Sequence, residues 1–189
     1  LIRMDLGCIS WDDGESKKFF AVSSGVGVDA DVCRLALSST LKKVLNKIGL
    51  GKLTYAILTL QSLFAMPTMN AHIVADGVDH GIYDKILFMA FMNHRCEGGG
   101  VPMAPIADAF DGKISMTMIH GLTKLGALGA FPSLLAAKHM TNKAYLGIDF
   151  KEADIVLKTP FVWHTDGEMC TYNTVMHVEC LPGAIKLMK

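Results

Sequence analysis

The sequence carries no excess of either charge: 18 Lys and Arg stand against 18 Asp and Glu in 189 residues. A balanced chain gives no electrostatic reason to bind nucleic acid, and no basic block marks it for an anionic surface. Its five cysteines, at 8, 33, 96, 170 and 180, are odd in number, scattered, and contain no Cys-x-x-Cys pair. That pattern fits neither a disulfide framework nor a zinc knuckle, and reads as reduced thiols in a cytosolic protein. The longest apolar run, Leu125–Ala137, falls about five residues short of the ~18 that suggest a membrane span. No signal peptide is visible, because Arg3 and Asp5 interrupt an alternating N-terminus. The seven histidines form no H-E-x-x-H, and neither G-x-S-x-G nor G-x-x-x-x-G-K-[ST] occurs.

Apolar material is abundant: 51% of residues are hydrophobic, 12 are Met, and the mean hydropathy is +0.34. This suffices for one sizeable core, and the methionines also suit an adaptable surface for an apolar ligand. Residues 1–10 and 17–24 read as strands joined by a turn at Asp12-Asp13-Gly14. From Asp29 to Met66 the period becomes helical, with Leu41, Val44, Leu45 and Ile48 on one face and glycines at 49 and 51 interrupting. After Pro67, residues 69–75 alternate, 82–92 form a β-like run beyond the turn Asp76-Gly77, and 114–120 form another strand. Residues 122–140 read as one or two short helices broken at Pro132. Short strands follow at 144–149, 153–158, 161–165, 168–180 and 184–188. Strands in hairpin order with helices inserted twice predict an α+β fold, mainly an antiparallel β-sandwich-like domain.

The segment richest in backbone-shaping residues is Glu97–Gly112, EGGGVPMAPIADAFDG, which predicts a loop of built-in shape. Within it, Asp108 and Asp111 can converge on a hard cation with a nearby carbonyl, or form a solvated acidic turn. Asp166-Gly167-Glu168 sits between strand sequences. It is a hairpin turn by spacing, and by chemistry a place where Asp166 or Glu168 could take a proton from a hydroxyl. Asp29 and Asp31 follow Gly25-Val26-Gly27, where helix capping accounts for them, and a strand-to-helix turn explains the glycines as well as a partial dinucleotide fingerprint does. On these grounds alone the function stays open.

The order of short motifs is more specific. Phe20–Val32 reads F-x-x-x-x-G-x-G-x-D-A-x-V, followed by G-K-L-T-Y (Gly51–Tyr55), F-M-N (Phe91–Asn93) and GGG-x-x-x-A-P (Gly98–Pro105). D-G-K-I (Asp111–Ile114), K-H (Lys138-His139), D-G-E (Asp166–Glu168) and a late P-G-A complete it. This order resembles the C-terminal half of the diacylglycerol kinase family of soluble lipid kinases, which includes sphingosine and ceramide kinases, and the resemblance covers essentially the whole chain. It implies that residues 1–189 are the lipid-substrate domain of a two-domain kinase. The ATP-binding domain, with its Gly-Gly-Asp-Gly-Thr motif, would then lie upstream, consistent with a chain that begins in strand-like sequence with Leu rather than Met. By the same resemblance Asp166, with Glu168 beside it, is the general base toward a lipid hydroxyl. Asp108, Asp111 and the carbonyl of Lys113 hold a structural Mg2+, although Ile106 stands where the family usually has an acidic residue. The implied co-substrate is ATP with Mg2+, and the implied partners are a lipid such as diacylglycerol and the protein's own N-terminal domain. A cytoplasmic location with peripheral contact at the inner membrane surface, and self-association as a homodimer, are further expectations. Two alternatives stand beside it: a non-catalytic lipid-binding or regulatory domain of the same fold, and an NAD-kinase-like protein, against which the motif order argues.

Overall fold

A computed structural model describes residues 1–38, 51–98 and 100–188; Leu41, Val44, Leu45 and Ile48 therefore lie outside the described residues. The strands are β1 (Ile2–Trp11), β2 (Ser16–Phe20), β3 (Ser23–Gly27), β4 (Met69–Ala75), β5 (Val78–Ile86) and β6 (Phe88–Met92). They continue with β7 (Ile114–Ile119), β8 (Tyr145–Phe150), β9 (Glu152–Thr165) and β10 (Glu168–Leu187). Three α-helices are described: α1 (Val28–Ser38), α2 (Gly51–Ala65) and α3 (Lys124–Leu135). All pairings are antiparallel, in the order β2-β1-β10-β9-β3-β6-β7-β8, with β4 joining β9 and β5 joining β4. The expected α+β, mainly antiparallel architecture is the observed one.

The sheet splits at β9. Its first part, up to Leu157, pairs with β4, whereas Trp163–Thr165 pair with β3. Pro160 lies between the two zones, where a residue without an N–H cannot continue a ladder. The two arms close over one apolar core that joins Ile73 of β4 to Met116 of β7 and Trp163 of β9. At its centre Trp163 stacks on Phe91, with ring centroids 5.8 Å apart, and Phe91 meets Phe150 edge-on at 6.3 Å. A second core lies on the outer side of β6, where Phe88, Ala90 and Met92 face Leu63 of α2 and Ala127 and Leu134 of α3. Strand β6 is thus buried on both faces, which is why it reads FMAFM with no polar alternation.

Several boundaries differ from the sequence reading. The segment 17–24 is two strands, because the chain leaves β1 after Phe20 and reaches β6 and β9 from Ser23 onward. The segment 82–92 breaks at Leu87, whose amide bonds the Ile119 carbonyl while its own carbonyl receives the amide of Val28 at the start of α1. Helix α3 runs through Pro132 instead of breaking there, and ends at Leu135 after a start capped by Thr123. The last two expected strands are one, β10, 20 residues long.

Asp5 is a buried carboxylate that the sequence reading passed over. It is 3% exposed, and its two oxygens accept the amides of Gly112 and Gly183, each at 2.7 Å. It thereby ties β1 to the end of the glycine- and proline-rich loop and to the bend in β10. In Asp5→Asn one of these amides would face a second donor, so the substitution should destabilise the fold by about 1–3 kcal/mol. An unchanged midpoint in urea unfolding would contradict this.

Candidate functional site

The turn between β9 and β10 is built on Asp166 and Gly167, whose φ values of 47° and 84° are the left-handed pair that Asp-Gly supplies. The turn does more than reverse the chain. The Asp166 carboxylate accepts three successive amides, from Ala21 (2.8 Å), Val22 (2.9 Å) and Ser23 (2.9 Å), and its own amide donates to the Ser23 carbonyl (2.8 Å). These bonds turn the amides of residues 21–23 away from any strand partner, which separates β2 from β3. A carboxylate has about four lone-pair positions, so roughly one remains for another donor. Glu168 is exposed one residue beyond the turn, opposite Thr165 in the hairpin.

Directly beneath the turn lies His164, fully buried. The Gly167 amide donates to its Nδ1 (3.3 Å), so Nε2 carries the proton and donates to Asp29 Oδ2 (2.8 Å). Asp29, in the first turn of α1, reaches across to β9 instead of capping its own helix. Asp31 likewise turns aside, accepting from Arg34 and from the Ser62 hydroxyl of α2. Gly25 makes the first reach feasible: a Cβ there would overlap Asp29 Oδ2 and come within 2.7 Å of His164 Nε2. Gly27, at φ 89°, brings its backbone against the Leu87 carbonyl. Close packing accounts for both glycines, and no part of a dinucleotide cradle is needed.

Glu97, the first residue of the shaped loop, completes the cluster. Ser23 Oγ donates to its Oε1 at 2.5 Å, and the same oxygen lies 3.8 Å from His164 Nε2. Its other oxygen, Oε2, is buried without a hydrogen-bond partner among the described residues. Burial, with the Asp29 charge adding to it, pushes the Glu97 carboxyl from 4.5 up to about 7, against the opposing effects of His164 and Ser23. For His164, burial resists the charged form, but Asp29, Glu97 and Asp166 together outweigh it and raise its proton affinity. Taking up a second proton would nevertheless cost the bond that Nδ1 receives from Gly167.

Asp29, Cys33 and His164 also bring donor atoms within 4.8 Å of one another. A metal on His164 Nε2 would displace its proton while Nδ1 still faces an N–H donor, leaving neither nitrogen protonated. The arrangement suits a hydrogen-bonded relay and not a metal centre.

The cluster forms one end of an apolar pocket of about 870 Å3, counting its open mouth. Val28, Val32, Leu63, Phe88, Phe131 and Leu134 are among the hydrocarbon groups on its walls, drawn from α1, α2, β6 and α3. Its ionisable carboxylates are Asp29 and Glu97. Buried His139 supports the far side, its Nε2 within 3.0 Å of the Met103 carbonyl, and burial lowers its proton affinity despite that bond.

Asp108, Asp111 and Lys113 are all exposed and lie away from this cluster, on the turn before β7. Asp108 accepts the Phe110 amide (3.1 Å) and Asp111 the Lys113 amide (3.0 Å), so hydrogen bonds already shape the turn. Each carboxylate keeps further lone pairs, and two carboxylates with a carbonyl are hard oxygen donors of the kind Mg2+ takes. Asp5, beneath them, is committed to Gly112 and Gly183, and Ile106 adds exposed hydrocarbon nearby in sequence.

The raised pKa of Glu97 has a definite sign for stability. Its contribution is complete below 4.5 and is lost as pH rises through about 7, a change on the order of 2–3 kcal/mol. His164, also raised, acts in the same direction, its contribution being complete below its ordinary 6.5 and lost as pH rises above that. Glu97→Gln removes the first contribution, so its stability relative to the wild type should improve steadily from about pH 5 to about pH 8. Urea unfolding at both ends of that range checks this, and a pH-independent difference would contradict it.

Comparisons with known proteins agree with this architecture. The family model of the YegS C-terminal NAD kinase beta sandwich-like domain matches residues 21–189. Two curated relatives named diacylglycerol kinase, from two strains of Mycobacterium tuberculosis, CDC 1551 / Oshkosh and ATCC 25618 / H37Rv, are each 29% identical over 139 residues. The match takes in 72% of this chain and 41% of either relative, so the chain spans less than half of their length. Among solved structures, a diacylglycerol kinase from Bacillus anthracis str. Sterne superposes with a TM-score of 0.55 at 14% identity, over 96% of this chain and 51% of that one. A second structure from that organism, proposed to be a diacylglycerol kinase, gives 0.64 at 20% identity, over 96% and 55%. With a family model matched over residues 21–189, this chain belongs to the YegS C-terminal, NAD kinase beta sandwich-like family of diacylglycerol-kinase-type domains.

Proposed function

We propose that this chain is the lipid-substrate domain of an ATP-dependent kinase that phosphorylates a lipid hydroxyl, such as that of diacylglycerol. The nucleotide-binding domain would lie upstream. The observation that carries this reading is the pocket: hydrocarbon walls from three helices and a strand, ending at two carboxylates beside the Asp166 turn. An acyl chain fits such walls, and its hydroxyl would lie among hydrogen-bond acceptors. Asp166 would orient that hydroxyl through its remaining lone pair, and Asp29, held by His164, would fix the head group beside it. In phosphoryl transfer such positioning supplies most of what the protein contributes. ATP would be held mainly by the upstream domain. A structural Mg2+ would sit on Asp108, Asp111 and the Lys113 carbonyl, bracing the turn with its charge. Glu168, outside the cluster, would act only on groups arriving from solvent.

Exposed hydrocarbon on the covering helices supports uptake from a bilayer. Leu37 of α1, Leu60 and Phe64 of α2, and Leu125 and Leu135 of α3 are all exposed, and exposed hydrocarbon of this kind suits contact with an apolar surface. No helix among the described residues is long and apolar enough to cross a membrane; the contact proposed here is peripheral, at the inner membrane surface.

The test is phosphate transfer from ATP to diacylglycerol by the full-length protein. Asp29→Asn should lower kcat/KM about tenfold or more, the loss of one charge-assisted contact. Asp166→Asn should abolish most turnover and also lose about 1–3 kcal/mol of stability, because an amide nitrogen would face a backbone donor. A folded Asp166→Asn protein with wild-type turnover would remove Asp166 from the reaction, and a full-length protein that binds lipid without transferring phosphate would remove the kinase reading.

A further inference from the structure

We propose that Glu97 determines head-group selection in the apolar pocket: its unpartnered oxygen accepts a hydroxyl of an uncharged lipid head, and its carboxylate excludes anionic amphiphiles. This rests on the lipid reading of the pocket and adds a residue and a rule to it. Three observations lead there. First, Oε2 of Glu97 is buried with no partner among the described residues, while Oε1 is taken by Ser23. A buried acceptor left unpaired penalises the empty state, and a ligand hydroxyl that pairs with it relieves the penalty. Second, among the described residues the pocket is lined by Asp29 and Glu97 and by no Lys, Arg or His, so none of these wall residues would neutralise a phosphate or carboxylate head, whereas a hydroxyl donor meets acceptors. Third, Glu97 begins a loop whose Gly98 and Gly100 have φ values of 51° and 98°. Glycine takes this backbone without strain and adds no side chain to the wall beside Glu97. Among the described residues Oε2 is therefore an acceptor with no donor, carried by a residue that lines the pocket where the hydrocarbon walls end.

Equilibrium binding without ATP tests this on the full-length protein, with 1-monooleoylglycerol and oleate as probes that share one chain and differ in the head. At about pH 8, wild-type protein should bind monooleoylglycerol about tenfold tighter than oleate, since buried like charges disfavour the carboxylate. Glu97→Gln keeps an acceptor and removes the charge, so the gap should close to within about threefold through tighter oleate binding. Glu97→Leu should weaken monooleoylglycerol about tenfold; if it fails to fold in a thermal melt, the Glu97→Gln ratio decides alone. Equal binding of the two probes by the wild type, or an unchanged ratio in Glu97→Gln, overturns the assignment. Phosphate transfer to diacylglycerol is read separately, so the kinase reading can survive that result. The expected selectivity in a protein that transfers no phosphate supports the Glu97 rule and overturns only the kinase.

Discussion

The carboxylate of Asp166, holding the amides of Ala21, Val22 and Ser23, is the interaction on which the arrangement depends. Those three residues would otherwise extend β2. With their amides turned to one acceptor, the chain leaves β1 and enters the sheet again between β6 and β9. That re-entry carries the chain directly into α1, and so puts Asp29 over His164 and Ser23 beside Glu97. One side chain thus sets both a topological step and the geometry of the acidic cluster. Three charge-assisted bonds to consecutive amides form a local anion nest, with the protein's own carboxylate as the anion.

The cluster beside it is arranged against the usual rules of burial. Asp29 and Glu97 share one buried histidine, and one Glu97 oxygen has no partner among the described residues. A fold selected for stability alone would replace such a group by hydrocarbon of similar volume. The penalty falls where the apolar walls end, at a residue followed by Gly98 and Gly100 in left-handed backbone. Unmet hydrogen-bonding capacity at the mouth of an apolar void is the arrangement expected where a donor arrives with a ligand.

The fold was legible in the sequence because strand alternation and turn chemistry are local. Asp-Gly at 76–77 and 166–167 marked the hairpins, and the antiparallel class followed from them. The errors came where one long-range bond overrode the local pattern. Nothing in FFAVSSG signals that three of its amides will turn to a residue 143 to 145 positions away. Pro132 suggests a break, yet α3 continues through it. The site was legible only in part. Asp166 could be found from its turn and its motif, but Asp29 had a sufficient local explanation as a helix cap. His164 lay unremarked in a strand, although Trp163 and His164 are adjacent and both fully buried. In a strand whose neighbours alternate, a polar residue buried next to a buried aromatic is packed on the second face, and FVWHT carries that signal.

Glu97 was in view as the first letter of the most conspicuous loop, and its role was hidden by the glycines that follow it. Three consecutive glycines suggest that the backbone is the functional part, and they draw the eye to Asp108 and Asp111 at the loop's far end. Those two carboxylates are exposed and bonded within their own turn, so they shape the connection to β7. Glu97 instead leaves β6 and its doubly buried apolar run FMAFM just upstream, and the end of such a strand opens directly onto the core. An acidic residue at that position must find a donor in the protein or wait for one. Here Ser23 satisfies one oxygen, and the other is buried without a partner among the described residues, on a side chain that lines the apolar pocket. The loop therefore divides its work by distance from the core: its outer turn is held by its own carboxylates, and its inner end delivers a buried one.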